Sequence, residues 1–544
     1  MRKFFIFAFC ALCVIGSVFY GNSQRYDYVI KSGTIYDGSG GDPVTADVGI
    51  VGDRIVAIGK LSSNALKVIQ ASGLYVAPGF IDVHNHAELR NKKLRSVKNF
   101  LTQGVTTLVT GNCGYGEYKV AELFSRVEAN GVGPNVMQLV GHNTIRLLAM
   151  GGSFDRAPTP EEMEKMKEMV RIAMGGGAAG LSTGLYYPPG SYAKTEEVIE
   201  LAKVASKYSG IYSTHIRDEG DFLYEDPNKD GLLDAIKEAI TIGREAEITV
   251  DISHIKADGI LGEDHWGKSK EVLEIIEQAQ ADGLRIYADQ YPYTASSTDL
   301  ASVTIPRWVQ ADGKMKERLS DPTLSNRIAK EVGRIVEGGL GPHVIVISRF
   351  QKKKDWEGKS IKDIAGILGK SPTETVVDLV LMGNPDVVVH SLSPDDVERY
   401  MKKPYIMTSS DGANLKFGVG MPHPRNYGSF PRKIRKYVLE KQILTMPEAI
   451  RAATSLPAEM LELTDRGWIK EGFIADIVVF NPKTLTDKAT FSQPHQYSVG
   501  IEYLVINGKP VIEHGTYNGE LAGKPIRKNE AAHRAKARRF GPER

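Results

Sequence analysis

The sequence predicts an α/β protein: a (β/α)8 TIM barrel, a small β-sandwich domain built from both termini, and an insertion between barrel strands 7 and 8. Three observations predict it. Eight short apolar runs alternate with helix-like stretches through the middle of the chain, the pattern of parallel βαβ units and the number of strands that closes a barrel. Both ends carry short strand-like segments punctuated by Gly and Asp, as in antiparallel sheet. Five of the eight apolar runs end in a side chain that can bind a metal.

Residues 1–23 come first. Arg2-Lys3 precede an apolar stretch from Phe4 to Tyr20, which is followed by Gly21-Asn22-Ser23. A short basic start, an apolar core and small residues near a cut describe a secretory signal, with cleavage before Gln24. The apolar run is broken by Gly16-Ser17 and falls short of spanning length, which argues against an uncleaved anchor. The small residue that a lipoprotein needs before Cys10 or Cys13 is replaced by Phe9 or Leu12. The expectation is an exported protein, periplasmic or secreted, with no stable membrane association once the signal is removed.

Residues 24–76 read as the first part of the sandwich: YDYVIKSGTIYDG, ADVGIVGDRIVAIG and KVIQASGLYVAPG. Residues 77–464 read as the barrel. Its strands are GFIDV, VTTLVT, NVMQLV, GAAGLST, GIYST, ITVDIS, RIYADQ and PYIMTS, separated by helical stretches such as TPEEMEKMKEMVRIAM and LLDAIKEAITIGREA. Residues 294–403 interrupt this alternation between the seventh and eighth strands. They contain helices and the strand-like HVIVIS and PDVVVH, and lie where an active-site lid would sit. Residues 465–520, with GFIADIVVFNP and EYLVINGKPVIEHG, return to the texture of the first segment. Residues 521–544 form a basic tail; from Lys524 onward it has eight basic residues against two acids, which predicts a solvated, loosely ordered end.

Removing the first 23 residues takes Arg2 and Lys3 and no acid, leaving 68 less two basic side chains against 66 acidic ones. A balanced charge points to neither nucleic acid nor an anionic membrane. Of three cysteines, two lie in the signal, so Cys113 is alone in the remaining chain and cannot form an internal disulfide.

The strand-end residues carry the chemistry. His84 and His86 are two apart, so in extended backbone both rings face one side and reach one point at the barrel mouth. Cys113 ends the second strand between Asn112 and Gly114, a turn-like rather than an apolar setting. A thiolate there can bind one zinc or bridge two. His215 in YSTHIRDEG and His254 in DISHIKADG occupy matching positions on adjacent strands. Asp411 in TSSDGAN ends the last strand and enters the site from beside the first. Cys, His and one carboxylate at one rim of such a barrel are the ligand types of catalytic zinc. His142 ends the third strand and is equally suited to a buried hydrogen bond; His423 stays open in the same way.

With these motifs the chain resembles the metal-dependent amidohydrolase superfamily, and within it the D-aminoacylase (N-acyl-D-amino-acid deacylase) family. The similarity runs from about Tyr26 to Arg527 and rests on HNH, GNCGYG, VGHNTIR, GLSTGLYYPPGSY, STHIRDE, SHIKADG, DQYPYTASST, SSDG, HPRNYGSFPR and AATSLPAE, in that order. The resemblance implies a tightly held zinc on Cys113, His215 and His254. It implies a second, weaker site on His84, His86 and Asp411, with Cys113 available to both. It places the substrate's α-carboxylate on Tyr187, Lys256 and Arg425, three donors suited to a carboxylate. The small-molecule substrate it implies is an N-acyl-D-amino acid, hydrolysed by water with Asp411 as general base and then acid. One position departs from the pattern: Ala87-Glu88 follow the second histidine, where the family usually shows two acids. Two alternatives share the chemistry, a cyclic-amidase and a dipeptidase acting on D-residues. A third, a non-catalytic envelope binding protein, gives no reason to keep six ligand residues.

Overall fold

The structure is a computed structural model that describes residues 25–220, 230–262 and 266–528. The expected signal therefore lies outside the described residues, as do positions 529–544 of the tail.

Five strands open the chain: β1 (Tyr26–Ile35), β2 (Val44–Val51), β3 (Arg54–Gly59), β4 (Ala65–Gln70) and β5 (Tyr75–Pro78). Four close it: β17 (Ile477–Phe480), β18 (Ile501–Ile506), β19 (Lys509–Glu513) and β20 (Thr516–Tyr517). All nine belong to one hydrogen-bonded sheet. It turns a corner in β1, whose first half pairs with β4 and whose last residues, Thr34 and Ile35, pair with β5. The register against β2 shifts between Ile30 and Gly33, where Ser32 adopts a left-handed φ of 57°. A strand that changes partners at such an irregularity makes the two layers of a sandwich from one sheet. Ile30, Val48, Ile50, Ile55 and Ile69 from one side of the corner share a core with Val76, Ile477, Val479, Tyr503 and Val505 from the other. Lys67 of β4 pairs with Glu513 of β19 at 2.7 Å, joining the two ends of the chain.

Between these halves lies the eight-stranded parallel sheet: β6 (Phe80–Asp82), β7 (Val105–Thr110), β8 (Asn135–Gly141), β9 (Gly180–Gly184), β10 (Ile211–His215), β11 (Thr249–Ile252), β12 (Ile286–Gln290) and β16 (Ile406–Thr408). Each coincides with one of the eight apolar runs. Side chains alternate between the two faces of each strand. Leu108, Val136 and Ile406 join the layer packed against the helices, while Val109, Met137 and Met407 join a separate cluster with Ile81, Leu139 and Ile211 that fills the interior. The helices begin where their sequences dictate: Thr159, Ser371 and Thr445 each cap a helix through a capping box with Glu162, Glu374 and Glu448, and each helix has Pro at its first or second position.

Closure of the barrel is made just past the strand ends. The Asp411 amide donates to the His84 carbonyl at 2.8 Å and the His86 amide donates to the Gly412 carbonyl at 2.7 Å. Immediately before Asp411, Ser410 donates through its amide (3.0 Å) and its hydroxyl (2.5 Å) to the two oxygens of Asp82 on β6.

The insertion contains the two strands read from sequence, β14 (Ile345–Arg349) and β15 (Asp386–Val389), and a third, β13 (Ser296–Asp299), which pairs with β15. With its helices it has its own apolar core, including Leu300, Val332, Ile345, Leu379 and Val387. At the other end of the chain, the reading of residues from Lys524 as solvated is corrected for the described part. Lys524 and Ile526 exchange backbone bonds with Val136 of β8, and Lys528 is 4% exposed with its amine donating to the Leu461 carbonyl at 2.7 Å. The backbone pairing and that buried amine bond fix this segment together with ion pairs from Arg527 to Glu128 and from Lys528 to Glu462. Among the described residues no helix is long and apolar enough to cross a membrane.

Candidate active site

All six metal-type side chains anticipated from sequence meet at the C-terminal rim of the barrel. Cys113 is central, buried at 3% exposure. Its Sγ lies 3.4 Å from His84 Nε2, 3.6 Å from His215 Nδ1, 3.6 Å from His254 Nε2 and 4.0 Å from His86 Nε2. Asp411 completes the ring, with Oδ1 at 3.1 Å from His86 Nε2 and 3.7 Å from His84 Nε2. The donors fall into two groups of three that share the thiol: His84, His86 and Cys113, and Cys113, His215 and His254. Soft thiolate and borderline imidazole, packed within one cation's reach of each other, fit zinc.

The local backbone is bent to make this possible. Cys113, His254 and Asp411 have φ values of 52°, 36° and 47°, in the left-handed region that costs a non-glycine residue about 1–2 kcal/mol. Each turns its side chain off the strand line and across the rim. The GNCGYG motif holds the Cys113 turn against the next strand. A Cβ at Gly116 would collide with the Leu139 carbonyl, and one at Gly114, itself at φ 78°, would meet the Asn143 amide.

The electrostatics prepare a cation site. Burial alone would raise the Cys113 thiol; the charge of His84 and hydrogen bonds from His215, His254 and His84 outweigh it and hold the thiol well below its ordinary value. Glu219, which the sequence reading did not single out, stands behind the second group. Its carboxylate lies 3.5 Å from His215 Nε2, 3.3 Å from His254 Nδ1 and 2.6 Å from Lys256 Nζ. Against the opposing effect of burial, Lys256 and His215 hold Glu219 well below the usual carboxylate range. The available signal was its place four residues after His215 in STHIRDE.

The three residues expected to bind a carboxylate all line the same pocket. Two are occupied within the site. Lys256 binds Glu219 and lies 2.7 Å from His254 Nδ1, and Arg425 donates to Asp411 Oδ2 at 2.7 Å. Burial opposes ionisation of Asp411, but Arg425, His254 and His86 keep it well below the usual range. Tyr187 packs its ring edge-on against His215, centroids 4.7 Å apart. Ser297, Thr298, Val303 and Val389 of the insertion complete the wall, so the insertion lies where a lid was expected. The pocket around the donors is narrow, about 40 Å³, and shares Ser297, Thr298, Asp411 and Arg425 with an outer cavity of about 270 Å³. A larger cavity of about 460 Å³ lies elsewhere, lined by Asp53, Arg466 and Lys524 among others, and includes none of the metal-type donors.

Three residues whose roles stayed open in the sequence take structural ones. His142 is buried and bonds Glu197 at 2.8 Å, which also binds Arg146 at 2.9 Å. His423 accepts from the Arg425 amide at 3.0 Å and bonds the Ala295 carbonyl at 2.9 Å, bracing the start of the helix that carries Arg425. Glu88 accepts from the Arg90 amide at 2.6 Å and takes no part in the donor cluster.

A (β/α)8 barrel with two thiolate-sharing donor groups at its C-terminal rim defines a metal-dependent hydrolase architecture. Residues 67–512 match the amidohydrolase family model, and the chain belongs to that family. It is 33% identical to the D-aminoacylase of Alcaligenes xylosoxydans xylosoxydans over 534 residues, covering 94% of this chain and 99% of that one. Among solved structures it is similar to D-aminoacylase, studied for its binuclear metal centre with one-metal activation and second-metal attenuation (31% identity, 92% of this chain, 100% of that chain, TM-score 0.78). It is equally similar to N-acyl-D-glutamate deacylase from Bordetella bronchiseptica, solved with zinc and a phosphonate mimic of the tetrahedral intermediate (31% identity, 93% of this chain, 100% of that chain, TM-score 0.78).

Proposed function

We propose that this protein is a zinc-dependent N-acyl-D-amino-acid deacylase, hydrolysing an N-acyl amide to a carboxylate and a free D-amino acid. The observation that carries the reading is the pair of donor groups joined at Cys113, in a chain that spans D-aminoacylase relatives almost end to end. Cys113, His215 and His254 form the first metal position, because Glu219 orients both imidazoles and the thiol is already ionisable there. His84, His86 and Asp411 form the second. When bound, zinc supplies Lewis acidity that activates water near neutral pH and polarises the acyl carbonyl.

The chain's own residues do the rest. Asp411 Oδ1 faces the donor cluster and takes the proton from the attacking water, then returns it to the departing amine nitrogen. Tyr187, Lys256 and Arg425 bind the α-carboxylate and so fix which face of the amide meets the water, which sets the preference for one enantiomer. A bound carboxylate competes with Asp411 for Arg425, leaving the aspartate freer to accept a proton. The narrow pocket, walled by the insertion, limits bulk water around the reacting amide.

The basic start and apolar core of residues 1–23 support export to the periplasm or medium; amino-terminal sequencing of the cell-free or periplasmic fraction, starting at Gln24, tests it. The activity is tested with paired N-acyl-D- and N-acyl-L-amino acids, with and without added zinc. Zinc-dependent release of the D-amino acids alone is expected, and equal rates on both enantiomers refute the reading. Hydantoins and mixed-chirality dipeptides in the same panel separate it from the cyclic-amidase and dipeptidase alternatives.

A further inference from the structure

Behind the donors lies a second carboxylate that no step above uses. Asp289 is the penultimate residue of β12, with its side chain inside the barrel at 0% exposure. Its Oδ2 stands 3.5 Å from His84 Nδ1, and neither atom has a hydrogen-bond partner elsewhere. Its other oxygen accepts from Ser409 Oγ at 2.5 Å. No lysine or arginine pairs with Asp289 among the described residues, whereas Glu219 has Lys256. A buried carboxylate without a countercharge is costly, and a cation held by the far side of the His84 ring would offset that cost.

The two donor groups are thus served separately. Glu219 stands behind His215 and His254, and Asp289 stands behind His84 alone. We propose that Asp289 is a positioning residue: it holds the His84 proton on Nδ1, aims the Nε2 lone pair into the pocket, and so sets the affinity of the second metal position without affecting the first. Ser409, fixed one residue past β16, keeps the Asp289 carboxylate in the plane this requires. The chain Ser409–Asp289–His84 follows the general rule that a ligating imidazole gives its other N–H to a carboxylate. The inference rests on the two-position reading given above.

The test uses metal-free full-length protein titrated with zinc against a chelator of known affinity, with bound metal counted by mass spectrometry. Wild type is expected to fill in two steps. Asp289→Asn should weaken the second step by roughly 10–100-fold and leave the first unchanged. Ser409→Ala should shift the second step in the same direction by less, and it guards against misfolding of the first variant. Glu219→Gln should do the reverse, weakening the first step. An unchanged second step in Asp289→Asn, or equal weakening of both steps with a lowered melting temperature, overturns the assignment. A wild type that binds a single zinc at saturation removes the two-position reading itself, and is told apart by needing no variant.

Discussion

Glu219→Gln separates two roles that one carboxylate combines. Glu219 and Lys256 form a 2.6 Å ion pair whose side chains are 9% and 5% exposed, so solvent screens it little. Neutralising one partner leaves a buried ammonium without its countercharge, which costs about 3–5 kcal/mol. The same change removes the charged acceptor from His215 Nε2 and His254 Nδ1, which should lower zinc affinity at Cys113, His215 and His254 by roughly 10–100-fold. Adding Lys256→Met to Glu219→Gln removes the stranded cation, and should restore most of the stability while leaving zinc affinity low. Urea melts of the metal-free proteins read the first effect, and chelator competition reads the second. Stability recovered together with zinc affinity in the double variant would show that the carboxylate acts only by neutralising the lysine. A single variant indistinguishable from wild type in both assays would make Glu219 a bystander.

Other perturbations follow from the same geometry. Asp411→Asn should cut turnover by roughly 10²–10⁴-fold while zinc stays bound at the first position, because that position draws on Cys113, His215 and His254; normal turnover by steady-state assay would remove the aspartate as base. Arg425→Met should lower kcat/KM roughly tenfold or more on N-acyl-D-amino acids, and little on the corresponding carboxamides, if its guanidinium binds the α-carboxylate; equal losses on both series argue against that contact. Lys433 is 3% exposed, with its amine donating to Thr408 Oγ1 at 2.9 Å, and burial pulls it down to about 7. The unfolded chain holds this proton up to about 10.5 and the folded one only to about 7, so stability rises with pH across that window and levels off above it. Lys433→Met should abolish that slope and raise stability near pH 7 by about 2–4 kcal/mol, as read by urea melts from pH 7 to 10; an unaltered slope refutes the assignment.

The eight barrel strands were legible because each is an apolar run set off by polar punctuation, and their ends were legible because Cys113, His215, His254 and Asp411 break those runs with metal-type side chains. What escaped the sequence has physical reasons. β13 reads Ser-Ser-Thr-Asp, half-buried with no apolar alternation, and becomes a strand only because the edge of β15 accepts it. Glu219 and Asp289 are acids at loop and strand ends, where solvated carboxylates are commonplace. Their role appears only when the fold sets them behind imidazoles that lie well downstream, as His254 lies from Glu219, or far upstream, as His84 lies from Asp289. The corner in β1 was hidden because pairing with β4 and β5 is parallel and comes from later in the chain.

The seam between β6 and β16 has a consequence for how the protein matures. His86 and Asp411 are 325 residues apart, and they meet only when the first and last staves of the barrel have been drawn together. A folding intermediate that has everything but its final stave already owns the thiol and all four imidazoles, and lacks only the aspartate. The second donor group gains its carboxylate only after the hoop is shut, so the full site and the native chain are completed together.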